Sequence, residues 1–414
     1  MRKLILMFSL TVVFSCIACS NIFNNHDDKA KNLRDLTPSE MLLKESSNEF
    51  GLTLFQQIAE TETDQNLFIS PLSVSLALGM TVNGSAGTTL SAMQTTLGFD
   101  DLTRQDVNKS YQSLMALLTG IDSKVIFEIA NSIWCRAGFA VQDSFINTNE
   151  YYFDALVRSL DFGRSDAADI INTWVRENTK NKIEKIVNAP IPADLVMFLI
   201  NAIYFKGSWT YEFDPEQTET APFYQTSEKT SDCQLMTYQC ELPYFSTNQF
   251  QAVDLPYGDG AFRMMVILPT YDHDIDEFIA GLDYATWNAW LDQLEPTEIN
   301  LYLPKFKIEY ENELKDELSA MGMAVAFDPY AADFSKINPE VQLYISKVKH
   351  KTFVDVNEEG TEAAAVTSVE VALTSVGGSG PTMRVDRPFV FAIHEINSGT
   401  ILFIGKIVKP EYEE

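Results

Sequence analysis

The residues able to carry catalysis or bind a metal are few and scattered. Two stretches approach the G-x-S-x-G elbow that presents a nucleophilic serine. Gly377-Gly378-Ser379-Gly380-Pro381 lacks its final glycine, and Asn83-Gly84-Ser85-Ala86-Gly87 lacks its first. Ser346-x-x-Lys349 fits S-x-x-K, but neither S-D-N nor K-T-G follows it, so chance is the better account. Asp272-His273-Asp274 reads as a solvated turn. Beyond the N-terminus, Cys135, Cys233 and Cys240 are an odd set with no C-x₂₋₄-C spacing, and the four histidines are dispersed. That pattern points neither to zinc nor to a disulfide framework. Cys233 and Cys240 would pair only from neighbouring strands; free buried thiols are the favoured reading. The expectation from these residues is no metal and no cofactor, with no catalytic motif complete.

The chain has 414 residues, 46% of them hydrophobic and 21% charged, an ordinary globular composition. Its formal charge of −28 would repel a phosphate or sulfate polymer, which argues against nucleic acid and heparin as partners. Arg2 and Lys3 precede an apolar run, Leu4 to Ile17, that ends in Cys16-Ile17-Ala18-Cys19. This has the parts of an export signal over 1–18. A cysteine directly after the cut resembles bacterial lipoprotein signals, so Cys19, with Cys16 as the other candidate, is the expected lipid attachment point. Residues 19–36 then read as a polar tether, and the expected location is the cell envelope, the periplasm or the extracellular space. The membrane is expected as a partner only through that anchor.

The remainder reads as mixed helix and strand. Thr37-Pro38-Ser39-Glu40 is a strong helix start, for a helix running to about Glu60. Ser70-Pro71 opens a second helix, apolar nearly all round and so buried. Further helices are expected at Thr88–Leu97, Arg104–Thr119, Asp143–Ala155, Ala167–Lys180, Ile275–Leu291 and Glu311–Met321. Strands are expected at Val125–Trp134, Leu195–Phe205, Val253–Leu255, Phe262–Leu268, Glu298–Glu309 and Tyr344–Val356. Met383–Ile393 and Thr400–Val408 read as a hairpin around Asn397-Ser398-Gly399. No linker-like composition interrupts 37–374, so 37–414 is expected to be one domain; separately, the chain is expected to be a monomer.

One segment is unusual. Residues 360–381 read GTEAAAVTSVEVALTSVGGSGP. Alternate residues from Thr361 to Leu373 carry no charge, while the intervening set holds Glu362 and Glu370. That is the period of a half-buried strand, sustained for about 13 residues and longer than most strands. Yet its first part is nearly all small, and Gly-Gly-Ser-Gly follows. From pattern alone it is a long strand ending in a turn, with a loop as the other possibility.

Five segments together resemble the serpins: Asn66-Leu67-Phe68-Ile69-Ser70-Pro71-Leu72-Ser73, Asn201-Ala202-Ile203-Tyr204-Phe205-Lys206-Gly207-Ser208-Trp209, Leu303-Pro304-Lys305-Phe306, Glu358-Glu359-Gly360-Thr361-Glu362-Ala363-Ala364-Ala365 and Asp386-Arg387-Pro388-Phe389-Val390-Phe391. The resemblance implies an α+β fold of three β-sheets and about nine helices, with an exposed reactive loop over about 358–382. It implies a suicide inhibitor of serine proteases, and of cysteine proteases as a further class, whose cleaved loop joins the central sheet as a strand. By position, Gly360, Thr361, Glu362, Ala363, Ala364 and Ala365 match the hinge. Ser70, Ser73, Asn201 and His350 match the shutter beneath the strands that part. Trp209, Lys305 and Glu358 match the breach, where insertion begins. The family's spacing from the hinge puts the scissile bond at Thr374–Ser375; counting back from the Arg387 strand gives Gly377. With no Lys, Arg or aromatic residue between Thr361 and Thr382, an elastase-like or subtilisin-like partner is expected. Thr361, Ala363 and Ala365 share the inward phase, and all three are expected to be exposed before cleavage. The competing classes are an exported hydrolase and a non-inhibitory serpin, the latter disfavoured because its hinge tends to be bulky, charged or proline-containing.

Overall fold

Helix starts are fixed locally. In the computed structural model, which describes residues 34–361 and 380–412, Thr37 caps α1 (Pro38–Thr61) through a reciprocal capping box with Glu40. After β1 (Leu67–Ile69), Ser70 caps α2 (Pro71–Val82), buried at every residue but Ala77. Next come α3 (Gly87–Thr96) and α4 (Arg104–Leu118), the latter boxed by Thr103 and Asp106. The chain continues through β2 (Val125–Arg136), α5 (Asp143–Phe153), β3 (Ala155–Leu160), α6 (Ala167–Asn178) and β4 (Met197–Ser208). Then follow β5 (Glu219–Tyr224), β6 (Thr230–Ser246), β7 (Phe250–Pro256), β8 (Phe262–Pro269), α7 (Ile275–Ala280) and α8 (Tyr284–Leu291). The last elements are β9 (Glu295–Pro304), β10 (Phe306–Glu313), α9 (Lys315–Leu318), β11 (Lys349–Val356), β12 (Gly360–Thr361), β13 (Thr382–Arg384), β14 (Phe389–Glu395) and β15 (Thr400–Ile407). Nine α-helices thus lie among the described residues.

Hydrogen bonding joins the expected three sheets into two. A six-stranded sheet runs β10-β11-β12-β4-β2-β3; the other, nine-stranded, runs β1-β15-β14-β8-β7-β6-β9-β13, with β5 also on β6. Sharing of β6 causes the union, since its last residues ladder β7 while its body ladders β9 and its start β5. The main core is built largely from β7, β8, β14, β15, α1 and α2. A second, smaller cluster packs α6 against β2 and β4 through Trp134, Ile171, Val175 and Ile200. Strand β4 therefore separates two cores, with Phe205 in one and Ile200 in the other.

Several expected elements differ. The single helix over Ile275–Leu291 divides, because Gly281 caps α7 and Asp283 starts α8 anew. The single strand over Glu298–Glu309 divides at Lys305, where the chain crosses from one sheet to the other. Met383–Ile393 divides into β13 and β14, and β14 forms the expected hairpin with β15. The helix expected from Glu311 gives way to strand as far as Glu313: Lys351 and Lys349 across the ladder hold Glu309 and Glu311. Helix α9 covers only Lys315–Leu318. Tyr344–Val356 becomes strand only from Lys349. Cys233 and Cys240 both lie on β6, about 23 Å apart along an extended strand. That is far beyond disulfide reach, so the two do not pair with each other.

Candidate functional site

The chemistry-free segments that stood out in the sequence meet along one seam of the six-stranded sheet. At its upper end, Asn357–Gly360 turns the chain from β11 into β12. Strand β12 lies between β11 and β4, with Thr361 opposite both Val356 and Gly207, and Gly360 opposite Ser208. Gly360 has φ of +152°, and a β-carbon there would sit 2.1 Å from the Gly207 carbonyl oxygen. Only glycine fits. Both β4 and β11 run on well past this two-residue strand.

The expected breach residues gather at this end, where the two sheets meet. Trp209 stacks on Tyr257 with ring centres 4.4 Å apart, and its indole N–H donates to the Asn357 carbonyl at 2.9 Å. Its backbone N–H donates to Glu359. Lys305 Nζ lies 2.9 Å from Glu358 Oε2, and Thr218 Oγ1 donates to Glu358 Oε1 at 2.8 Å. Burial alone would raise the Glu358 carboxyl, but the bonds from Lys305 and Thr218 outweigh it and hold it below the usual range. Lys305 also sits over the Tyr412 ring, 4.3 Å from its centre.

Thr361 corrects the expectation of an exposed hinge. It is only 2% exposed, and its hydroxyl meets the Tyr257 hydroxyl at 2.5 Å. Burial keeps the Tyr257 phenol well above its ordinary value, so it remains protonated. The cause of the difference is the β12 pairing, which draws the start of the loop into the sheet. A charge at position 361 would therefore damage the uncleaved protein. Glu362, Ala363, Ala364 and Ala365, the scissile pair Thr374–Ser375, and the anchors Cys16 and Cys19 all lie outside the described residues.

Further along the seam, three of the four expected shutter residues form one group. The Ser70 backbone N–H donates to His350 Nε2 at 3.0 Å. The Ser70 hydroxyl donates to the Leu402 carbonyl at 2.7 Å and accepts from the Ser73 N–H at 3.2 Å. Because Nε2 is an acceptor here, His350 is neutral, and burial pushes its pKa down to about 4. Asn201 is placed differently. Its amide donates to Asn131 Oδ1 at 2.9 Å, because β4 pairs with β2 so that the two asparagines are opposite. Asn131 in turn donates to the Phe153 carbonyl at the end of α5. Asn201 Oδ1 is buried with no hydrogen-bond partner among the described residues. Tyr257, Thr218, Asn131 and Asn357 were not legible as site residues, since only tertiary structure brings them to the seam.

A family model described as Serpin (serine protease inhibitor) matches residues 45–410. The chain belongs to the serpin family. Neuroserpin of Gallus gallus is 33% identical over 377 residues, 89% of this chain and 92% of that protein. Leukocyte elastase inhibitor of Xenopus tropicalis is 34% identical, covering 89% of this serpin and 99% of its relative. The fold matches the crystal structure of the thermophilic serpin tengpin in its native state, with TM-score 0.82 and 31% identity, over 91% of this chain and 95% of that one. The serpin fold is thus present, with relatives that are protease inhibitors by name.

Proposed function

We propose that this serpin inhibits elastase-like or subtilisin-like serine proteases by trapping their acyl-enzyme. The observation that carries the reading is the seating of β12: Gly360 and Thr361, the first two hinge residues, already occupy a strand position between β11 and β4, and both neighbours extend beyond them. The protease serine oxygen attacks the Thr374 carbonyl, and the Thr374–Ser375 C–N bond breaks. The new Ser375 amine takes the proton, leaving Thr374 esterified to the protease. Freed from its downstream half, the loop continues β12 as an antiparallel strand. In the register set by Thr361, residue 363 faces Phe205 and Val354, and residue 365 faces Ile203 and Thr352. Residue 367 falls between Asn201 and His350, so the Thr367 hydroxyl would meet the unpartnered Asn201 oxygen. Thirteen further residues, 362 to 374, at about 3.3 Å each carry the protease about 43 Å. Its oxyanion hole is thereby pulled out of shape before water completes hydrolysis. The absence of Lys, Arg and aromatic residues between Thr361 and Thr382 and a relative named for inhibiting leukocyte elastase both support the target class.

The test is a pair of variants beyond the buried Thr361. Ala363→Glu, on the inward phase, is expected to turn inhibitor into substrate while the uncleaved melting temperature holds, because a charge would be buried without a partner on insertion. Ala364→Glu, on the outward phase, is expected to do less. The readouts are inhibitor consumed per protease inactivated, and the gain in melting temperature on loop cleavage. Unchanged stoichiometry for Ala363→Glu, or no gain in the cleaved parent, overturns the mechanism. The lipid anchor at Cys19 or Cys16 belongs to the same proposal. It fails if a Cys16→Ala, Cys19→Ala double variant partitions into detergent as the parent does.

A further inference from the structure

Away from the seam, the end of α2, the start of α4, α5 from Ser144 to Tyr152 and the loop carrying Lys336 line an open cavity of about 310 Å³. That volume lies at the lower end of the range for small-molecule sites, about 300–1,000 Å³. The cavity is floored by a buried amide cluster. Asn83 donates to Asn108 at 3.0 Å and to Asn149 at 3.2 Å, and Asn108 donates back to Asn83 at 3.0 Å. These bonds tie α2, α4 and α5 together and make the floor rigid.

The charge of the lining is the anomaly. The chain has 58 acidic and 30 basic residues, yet the lining contains Arg104 and Lys336 and no carboxylate. Arg104 is partly buried, and among the described residues its side chain makes one long bond, Nη2 to the Ser85 carbonyl at 3.3 Å. Burial pushes its guanidinium down, with no carboxylate opposing the shift. A guanidinium withdrawn from water without an anion is costly, and its planar fork matches carboxylate or phosphate oxygens. Lys336 is exposed and forms no ion pair among the described residues, although Asp333 feels its charge. The remaining lining includes the neutral polar groups Gln105, Ser144 and Thr148 and the aromatic Tyr152, which suit hydroxyls rather than a bare ion.

We infer that this cavity binds a small hydroxylated anion, a compact polyol carrying one carboxylate or phosphate that pairs with Arg104 and Lys336. Binding here is independent of loop insertion, since the site uses no seam residue. Glucuronate is the probe and glucose the uncharged control, at fixed ionic strength on the full chain. Saturable calorimetric binding of glucuronate at or below about 1 mM, with a rise in melting temperature, is expected; glucose should give neither. Arg104→Gln should weaken binding about tenfold or more, because a charge-assisted fork is lost. If Arg104→Gln lowers the ligand-free melting temperature, Lys336→Gln carries the test through a smaller loss of affinity. No saturable binding by about 10 mM, equal binding of glucose, or full affinity in both variants overturns the assignment.

Discussion

Strands β14 and β15 are buried at every residue, whereas β11 alternates buried and half-buried along its whole length and β4 does so for most of its own. The first pair is locked by shape. Phe391 and Phe403 both stack on Phe68, with ring centres 5.4 and 5.2 Å away. The second pair meets at β12 and is fastened by directional polar contacts, Tyr257 with Thr361 and Lys305 with Glu358 at that end and Ser70 with His350 further along. Packing is short-ranged and unforgiving, while hydrogen bonds can be exchanged one for another at small net cost. One sheet is a finished foundation; the other has a seam closed by polar fastenings that exchange at small net cost.

The contrast breaks most visibly in the foundation. Phe391→Ala should cost about 3–5 kcal/mol and abolish inhibition with folding, as read by urea unfolding beside a protease titration. A loss below about 1 kcal/mol would mean the hairpin is not the rigid partner. Acid tests the seam next. His350 has a folded pKa of about 4 against an ordinary 6.5, so between those values the unfolded chain holds a proton that the native one lacks. Stability therefore rises with pH across this window. The contribution is complete above about pH 6.5, falls by on the order of 3 kcal/mol towards pH 4, and is constant below. His350→Gln, which keeps an acceptor for Ser70, should flatten that part of the melting-temperature profile; an unchanged slope would assign the acid sensitivity to other groups. The smallest effect is expected at the breach. Glu358→Gln should cost about 1–3 kcal/mol, because Lys305 and Thr218 keep a weaker acceptor. Its uncleaved form should unfold earlier while β14 and β15 retain slow amide exchange. Equal loss of protection in both sheets would show that the seam is not separable.

Legibility followed locality. Helix starts at Thr37, Ser70 and Thr103 are written in a few adjacent residues, and each forms the cap its sequence specifies. Strand β6, although 17 residues long, is not legible in the sequence. Its burial follows several partners in turn rather than one alternation. The true end of β10 has a signal in the sequence: Glu309 and Glu311 alternate in phase with Lys349 and Lys351, a charge ladder that paired strands align. The shutter had no local signal. Ser70 reaches His350 across 280 positions and Leu402 across 332, so family resemblance alone identified those residues. The resemblance also misled at two places. Thr361 is already in the sheet, and Asn201 is bonded to its neighbour Asn131 rather than to the serine and histidine.

Each sheet carries one buried thiol. Cys135 sits on β2 opposite Met197 of β4, and Cys233 on β6 opposite Ala221 of β5. Burial pushes both pKa values up to about 11, leaving on the order of one molecule in ten thousand as thiolate at neutral pH. An alkylating reagent must therefore wait for a strand to move. The two rates of labelling, separated by peptide mass, are clocks of independent origin: one beside the strand that borders the seam, the other far out on the nine-stranded sheet. Native serpin, with no probe attached and no residue changed, thus reports how often each of its sheets breathes.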